Sequence, residues 1–374
     1  MKRILVIEDD PAILRGLVAT LRANDYEVLS EQDGGKGFAL AKNAHPDLLI
    51  SDIMLPSMNG LQICSSLKQQ GYPFPIFLLT SLTDRQARME GLEQGADDYI
   101  PKPFSVQEVL LRVRNALERV DTIRGNSKML EEEFVKARKI QMNSLPRAQP
   151  AVPGLDVYGE SVPSTHVGGD YFDFLNLGER RFGIIIADVS GKGMPAAMYV
   201  QKMQGIVQSS YANIRTASDL IVTLQIHLGS TMESMFFVTA LVAIFDLEHR
   251  AVEIARAGHL PALRLRGGNV VVLKPPGPWI GKTVASPFAG KWPTEAFTLE
   301  KGDIFLFYTD GVVETSGPAG EMYGLERLES LLDSDTTDAR KTVARCYDDV
   351  RAFAQSSIQH DDITIIAACF NDNI

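Results

Sequence analysis

Residues 4–10 read ILVIEDD, an aliphatic run that ends in three consecutive carboxylates, with Pro11 directly behind them. Ile and Val favour extended backbone. An aspartate followed by proline is the usual entry to a helix, so Asp10 reads as an N-cap with Pro11 at the first helical position. A strand therefore stops at Glu8, and a helix begins two or three residues later. The same phrase returns in YEVLS (26–30), PDLLISD (46–52), PIFLLTS (75–81) and DDYI (97–100), separated by amphipathic segments at 11–23, 59–69, 84–94 and 105–119. Strands alternating with helical patterns predict an α/β doubly wound parallel sheet. Ligands of such sheets bind beyond the carboxyl ends of the strands. Glu8, Asp9 and Asp10 fall there, as do Asp52, Thr80 and Lys102.

Carboxylates gathered at one edge repel, and a hard divalent cation with oxygen ligands relieves that repulsion. Lys102 adds a fixed positive charge and Thr80 a hydroxyl. A carboxylate beside a metal, faced by an ammonium and a hydroxyl, suits a group that accepts a phosphoryl. With the motifs LVIEDD, SDIMLPSMNG, LLTS and DDYIPKPF, residues 1–119 resemble the receiver domain of two-component response regulators. The resemblance implies that Asp52 is the phosphoacceptor and that Glu8, Asp9, Asp52 and the Met54 carbonyl surround Mg²⁺. It implies that Thr80 and Lys102 contact the phosphoryl group, that Tyr99 is an aromatic switch and that Lys102-Pro103 is cis. Its partner would be a histidine kinase or phosphotransfer protein.

From Val113 the pattern changes. Val113, Ala116, Val120, Ile123, Ser127, Leu130, Phe134, Ala137 and Gln141 recur at alternating steps of three and four, a heptad-like seam weakened by its polar members and by Gly125-Asn126. Residues 120–148 are expected to be a connecting helix. Either it packs as one amphipathic helix on its own domain, or 113–145 pairs as a coiled coil in a homodimer. It ends near Leu145-Pro146, and Pro150, Pro153 and Gly154 mark a linker.

Residues 149–374 read as a second domain of α+β layered type. Strands are expected at 155–161, 181–189, 236–246, 251–257, 262–266, 269–273, 303–309 and 363–370, and helices at 195–210, 217–230, 324–333 and 337–356. Aspartates carry the signal again: Asp170 and Asp173 in VGGDYFD, Asp188 in IIIADVSGKG, Asp310 in FYTDGVVE, and Asp361-Asp362 in HDDITII. Carboxylates without His or Cys partners select Mg²⁺ or Mn²⁺ over zinc. Two such ions about 3.5–4 Å apart activate a water for in-line attack on phosphorus.

The motifs VGGDYFDF, ADVSGKGMPAAM, FVTALVAIFD, ARAGHLPALR, KGDIFLFYTDGVVE, MYGLERL and DDITII make this part similar to the PPM-type serine/threonine phosphatases of the SpoIIE/RsbU branch. The preceding FVKARKIQMNSLP looks like that branch's lead-in helix. The resemblance implies a β-sandwich flanked by helices. It implies that Asp170, Asp188 with the Val189 carbonyl, Asp310 and Asp361 hold two Mn²⁺ or Mg²⁺ ions, with Asp361 preferred over Asp362 and with Asp173 a weaker candidate. Gln225 stands where the branch usually has asparagine. The implied substrate is a phosphoserine or phosphothreonine on an anti-sigma-factor antagonist. The alternative is a non-catalytic adaptor that uses the same fold to bind a sigma-factor regulator.

Other patterns are decoys. PPGPWIGKT (275–283) imitates a phosphate-binding loop, but Pro276 sits where that loop needs a glycine N–H. Ser190 lacks a nucleophile elbow, His259 has no second histidine at ligand spacing, and Lys192 reads as a solvated turn lysine. Composition agrees with two real cores: 45% apolar residues, 22% charged and a formal net charge of −10. With no basic cluster and no apolar run near the ~20 residues of a membrane helix, neither nucleic acid nor membrane is an expected partner. Three scattered cysteines, Cys64, Cys346 and Cys369, are expected as thiols in a cytoplasmic protein.

Overall fold

Five short aliphatic runs become five parallel strands: β1 Arg3–Ile7, β2 Glu27–Glu31, β3 Leu48–Asp52, β4 Ile76–Thr80 and β5 Asp98–Pro101, in the order β2-β1-β3-β4-β5. This is a computed structural model. It describes residues 1–81, 95–146, 149–178, 180–282, 291–332, 338–355 and 359–372, the side chains of Arg124 and Ser127 excepted. The helical segment expected at 84–94 lies outside the described residues.

The chain forms two compact units, Met1–Leu130 and Glu131–Ile374. In the first, side chains alternate across the sheet. Ile4, Val6, Leu48, Ile50, Phe77 and Leu79 meet helix α1 (Pro11–Ala23) and the start of a helix at Val106, while Leu5, Ile7, Leu49, Ile76 and Leu78 meet the other face. Two helices cover that other face, α2 (Gly34–Ala44) and α3 (Gly60–Gln69). Helix α2 was not expected, since three glycines dilute its pattern. Two of them are forced by packing: a Cβ on Gly34 would lie 1.8 Å from the Met58 carbonyl oxygen, and one on Gly37 would lie 2.4 Å from Ile7.

Helix α4 runs unbroken from Val106 to Ser144. Its Val109, Val113 and Leu117 are buried in the first unit's core, so Val113 belongs to that core and not to an open seam. Ile123, Met129, Leu130, Val135 and Ile140 are exposed.

The second unit has two five-stranded antiparallel sheets. One is ordered β13-β10-β9-β8-β7 and the other β12-β11-β14-β15-β6. The strands are β6 Leu155–Val162, β7 Asp170–Gly178, β8 Arg181–Val189, β9 Val238–Asp246, β10 Ala251–Ala257, β11 Ala262–Arg266, β12 Asn269–Leu273, β13 Thr294–Thr298, β14 Ile304–Tyr308 and β15 Ile363–Phe370. Phe172, Ile184, Ile186 and Phe245 of one sheet pack on Phe305, Phe307, Ile366 and Phe370 of the other, with the Phe245 and Phe305 rings edge to face at 5.4 Å.

The outer face of the first sheet is covered by α5 (Met194–Ser210) and α6 (Ala217–His227), and that of the second by α8 (Leu325–Ser330) and α9 (Ala339–Ala354). A single turn, α7 (Asp310–Val313), lies between. The layers are helix, sheet, sheet, helix. Strands β7 and β13 were not expected from sequence. The first was hidden because its start is a motif of glycines and aspartates, the second because TEAFT is short and polar.

Candidate functional sites

In the first unit the strand order reverses between β1 and β3, and the ends of those two strands bring the acids together. Carboxylate oxygens of Glu8, Asp9 and Asp52 lie within 4.8 Å of one another, a group that among the described residues has no equal. Asp10 is outside it: its side chain caps α1 by accepting from the N–H groups of Ala12 and Ile13, as its proline neighbour predicted. Glu8 is fully buried and Asp52 nearly so.

The Lys102 ammonium stands 2.6 Å from Asp52 and 2.8 Å from Glu8. Met54 N–H donates to the other Asp52 oxygen at 3.2 Å. Burial pushes the Glu8 carboxyl up, and the Asp52 charge adds to it. Desolvation opposes charge on Lys102, but hydrogen bonds to Asp52 and Glu8 outweigh it and raise its pKa. Thr80 ends β4 and is buried. Tyr99 lies in β5 against the α3 side, and burial moves its hydroxyl up to about 12. Lys102-Pro103 is cis, as expected.

In the second unit three of the four acidic loci open onto one cleft of about 370 Å³. It is lined by Asp188 and Val189 at the end of β8, Asp310 beyond β14, and Asp361 just before β15. Burial, then the charges of Asp310 and Asp361, push Asp188 up to about 7. Asp310 is raised by burial and by Asp361. Such a set of half-dried, mutually repelling hard oxygens fits divalent cations.

Asp170 sits behind the cleft, opposite Asp188 in the β7–β8 register. It is buried, and one carboxylate oxygen accepts from the hydroxyls of Thr309 (2.8 Å) and Thr364 (2.5 Å). Burial and the Asp188 charge raise its pKa. Sequence reasoning missed both threonines. Their signal was adjacency, since Thr309 precedes Asp310 and Thr364 follows Asp362 by two residues, which in a strand is the same face.

The remaining candidates separate. Asp173 is an odd number of residues from Asp170 and so faces the other side of β7, where Tyr171 Oη and the Phe174 N–H donate to it. Asp362 is buried and fully engaged: Oδ1 accepts from Ser164 N (2.7 Å) and Ser164 Oγ (3.0 Å), and Oδ2 from Gly169 N (2.6 Å).

Lys192 is an exposed turn lysine, as expected, and it also has a partner. Its ammonium pairs with Asp361 at 2.9 Å in the cleft wall. His259 also lines the cleft, sharing a 2.8 Å hydrogen bond between Nδ1 and Thr239 Oγ1, and burial lowers its pKa to about 4. It is a neutral wall, not a cation. Gln225 replaces the usual asparagine yet is well used: it accepts from Gly281 N (3.1 Å) and donates to the Gly281 carbonyl (3.0 Å).

Residues 4–114 match the response regulator receiver domain family. Among curated relatives, the alkaline phosphatase synthesis transcriptional regulatory protein PhoP of Bacillus subtilis is 39% identical over 133 residues, which are 36% of this chain and 55% of that protein. The DNA-binding dual master transcriptional regulator RpaA of Synechocystis is 43% identical over 125 residues, 33% of this chain and 52% of that protein. The chain thus spans about half the length of the curated relatives it matches.

For the second unit, the SiaA-PP2C domain of Pseudomonas aeruginosa superposes with a TM-score of 0.57 at 20% identity, over 66% of this chain and 99% of that one. The PP2C phosphatase domain of SpoIIE from Bacillus subtilis, solved with a fragment of its regulatory domain, gives 0.51 at 18% identity, over 59% and 64%. At those identities the likeness is one of fold. Residues 178–371, just over half of the chain, match the family described as Stage II sporulation protein E, and the chain belongs to that SpoIIE family, with a response regulator receiver domain preceding its PP2C-type domain.

Proposed function

We propose that the chain is a response regulator with phosphatase output. Phosphorylation of Asp52 would control metal-dependent hydrolysis of phosphoserine or phosphothreonine on a protein. The observation that carries this reading is the convergence of Asp188, Asp310 and Asp361 on one cleft, with Asp170 locked behind them. An adaptor with a decayed active site has no reason to keep four buried or half-buried carboxylates, in which, beyond burial, Asp310 and Asp361 push Asp188 up and Asp188 pushes Asp170 up.

In the receiver, Asp52 would attack the phosphorus of a phosphohistidine on a kinase or phosphotransfer protein. A P–O bond forms, the P–N bond breaks, and the imidazole nitrogen takes a proton. Glu8, Asp9, Asp52 and the Met54 carbonyl would hold Mg²⁺, and Lys102 would exchange its present carboxylate partners for a phosphoryl oxygen. Thr80 would offer its hydroxyl, and Tyr99 would report the change.

In the second unit Asp170, Asp188 with the Val189 carbonyl, Asp310 and Asp361 would hold two Mn²⁺ or Mg²⁺. Such a pair, when bound, supplies a hydroxide-like water and neutralises phosphoryl charge. Thr309 and Thr364 would keep Asp170 oriented, and Lys192, beside Asp361 in the cleft lining, would be available to a phosphoryl oxygen. The oxygen of a water would form a new P–O bond as the P–O bond to the seryl or threonyl oxygen breaks, and the proton that water gives up would go to the leaving oxygen, so that the products are the free hydroxyl and inorganic phosphate. The family supports an anti-sigma-factor antagonist as the substrate. The exposed Ile123 and Leu130, seven residues apart on α4, support a homodimer through the middle of that helix.

The deciding assay is Mn²⁺-dependent release of phosphate from an aryl phosphate and a phosphopeptide, with and without beryllofluoride on the receiver. Turnover that depends on metal and changes with beryllofluoride supports the reading. No turnover in either state transfers the case to the adaptor.

A further inference from the structure

Four residues of α4 meet a single loop. Glu131 lies 2.9 Å from His166 Nε2, the Phe134 ring is 5.5 Å from the His166 ring, and Arg138 donates to the Thr165 carbonyl at 3.5 Å. Gln141 completes the row. Its Nε2 donates to the Gly168 carbonyl at 2.7 Å, and its Oε1 accepts from the Gly168 N–H at 2.9 Å. Positions 131, 134, 138 and 141 follow the three-four spacing of one helix face. Gln141 is 5% exposed, on a helix whose neighbouring polar side chains are mostly in solvent.

The loop they grip ends at Asp170. On its far side Asp362 accepts from Ser164 and Gly169, and the Gly169 carbonyl accepts from Val189 N at 3.1 Å. No slack is left: a Cβ on Gly168 would lie 2.7 Å from Asp362 Oδ2, and one on Gly169 would lie 2.9 Å from the Val189 carbonyl oxygen. The peptide two residues before Asp170 is thus held between the metal-site strands and a carboxamide carried by the helix that begins at Val106.

We propose that Gln141 is a positioning residue: by clamping both polar groups of Gly168 it sets the placement of Asp170 against Asp188, and with it the divalent-metal affinity of the second-unit site. This rests on the phosphatase reading above and names the point where the connecting helix acts on that site. A one-residue rotation of the helix, about 100°, carries the carboxamide off the loop and leaves the N–H and carbonyl of Gly168 without it.

The test uses the full chain with its receiver site silenced by Asp9→Asn. Mn²⁺ binding is measured from the free-ion signal in electron paramagnetic resonance, alongside aryl phosphate turnover. Gln141→Met, equal in length but without the amide, should weaken Mn²⁺ binding about tenfold, with kcat recovered at saturating Mn²⁺. Gln141→Glu keeps one acceptor for the Gly168 N–H and should fall between, and it decides the matter if the methionine variant does not fold. Gln204→Met is the control. Gln204 anchors the end of the same helix by donating to the Ser144 carbonyl, away from the loop. Wild-type Mn²⁺ affinity in both Gln141 variants overturns the proposal, as does an equal loss in Gln204→Met. A parent chain that binds no Mn²⁺ at all overturns the phosphatase reading and this inference together.

Discussion

Replacing Lys102 by methionine removes the cation that faces two buried carboxylates and keeps the side-chain volume. The ammonium lies 2.6 Å from Asp52 and 2.8 Å from Glu8, with side-chain exposures of 18%, 8% and 0%. At an effective dielectric of about 20 each contact is worth on the order of 6 kcal/mol of attraction before desolvation is charged against it. Truncating one partner of a buried pair costs about 3–5 kcal/mol, and partial exposure of Lys102 places the loss near about 3 kcal/mol. In EDTA the first unit should lose that much, read by hydrogen exchange of peptides spanning β1 and β3. Both tryptophans, Trp279 and Trp292, lie in the second unit and report on it separately. Adding Mg²⁺ should recover much of the loss. Glu8, Asp9 and Asp52 already present oxygens within 4.8 Å of one another, and a ligand at 100 times its Kd stabilises by about 2.7 kcal/mol. The variant should therefore gain more from Mg²⁺ than wild type, in which Lys102 competes for the same oxygens. An equal deficit with and without Mg²⁺ would refute the metal assignment, and no deficit in EDTA would refute the electrostatic account.

Three further outcomes are expected. Asp188→Ala and Asp310→Ala should each abolish Mn²⁺-dependent phosphate release, whereas Asp52→Ala should abolish only its response to beryllofluoride; residual turnover in either of the first two would remove that residue from the site. His259 is held neutral by burial, its pKa about 4 in the fold against 6.5 unperturbed. A depressed folded pKa means stability is present above pH 6.5 and is lost as pH falls toward 4, by about 3 kcal/mol at the lower end. His259→Gln should flatten that part of the acid-unfolding curve followed by tryptophan fluorescence. Leu130→Glu should leave the phosphoryl chemistry of Asp52 intact and abolish any beryllofluoride-induced rise in mass by light scattering. A dimer that survives the added charge would place the interface elsewhere.

Much of this was legible because strands and the acidic loops at their ends write themselves locally. β1 to β5 lie within two residues of the aliphatic runs, and Glu8, Asp52, Thr80 and Lys102 were found because each sits at or just beyond a strand end. Helix α2 escaped because its glycines answer to atoms distant in sequence, Met58 and Ile7. The solvated Lys192 gave no sign of its ion pair for a related reason. Its partner Asp361 is remote in the chain, so nothing near the lysine announces the ion pair.

The sequence by itself determined the two-unit architecture, the parallel sheet of the first unit, the α+β layering of the second and the two sets of acids. Those follow from periodicity and from which residue types end each strand. Tertiary structure alone decided how the acids divide the work. Asp170 and Asp173 share one motif, yet strand alternation sends one to the inter-sheet side and the other against the helices. Asp361 and Asp362 are neighbours, yet one faces the cleft and the other spends both oxygens on the loop before Asp170. It also decided the fate of the seam along α4, whose ends are buried at Val113 and Gln141 while Ile123 and Leu130 are exposed. Burial depends on what the fold brings alongside a residue, and a heptad pattern records only that a face exists.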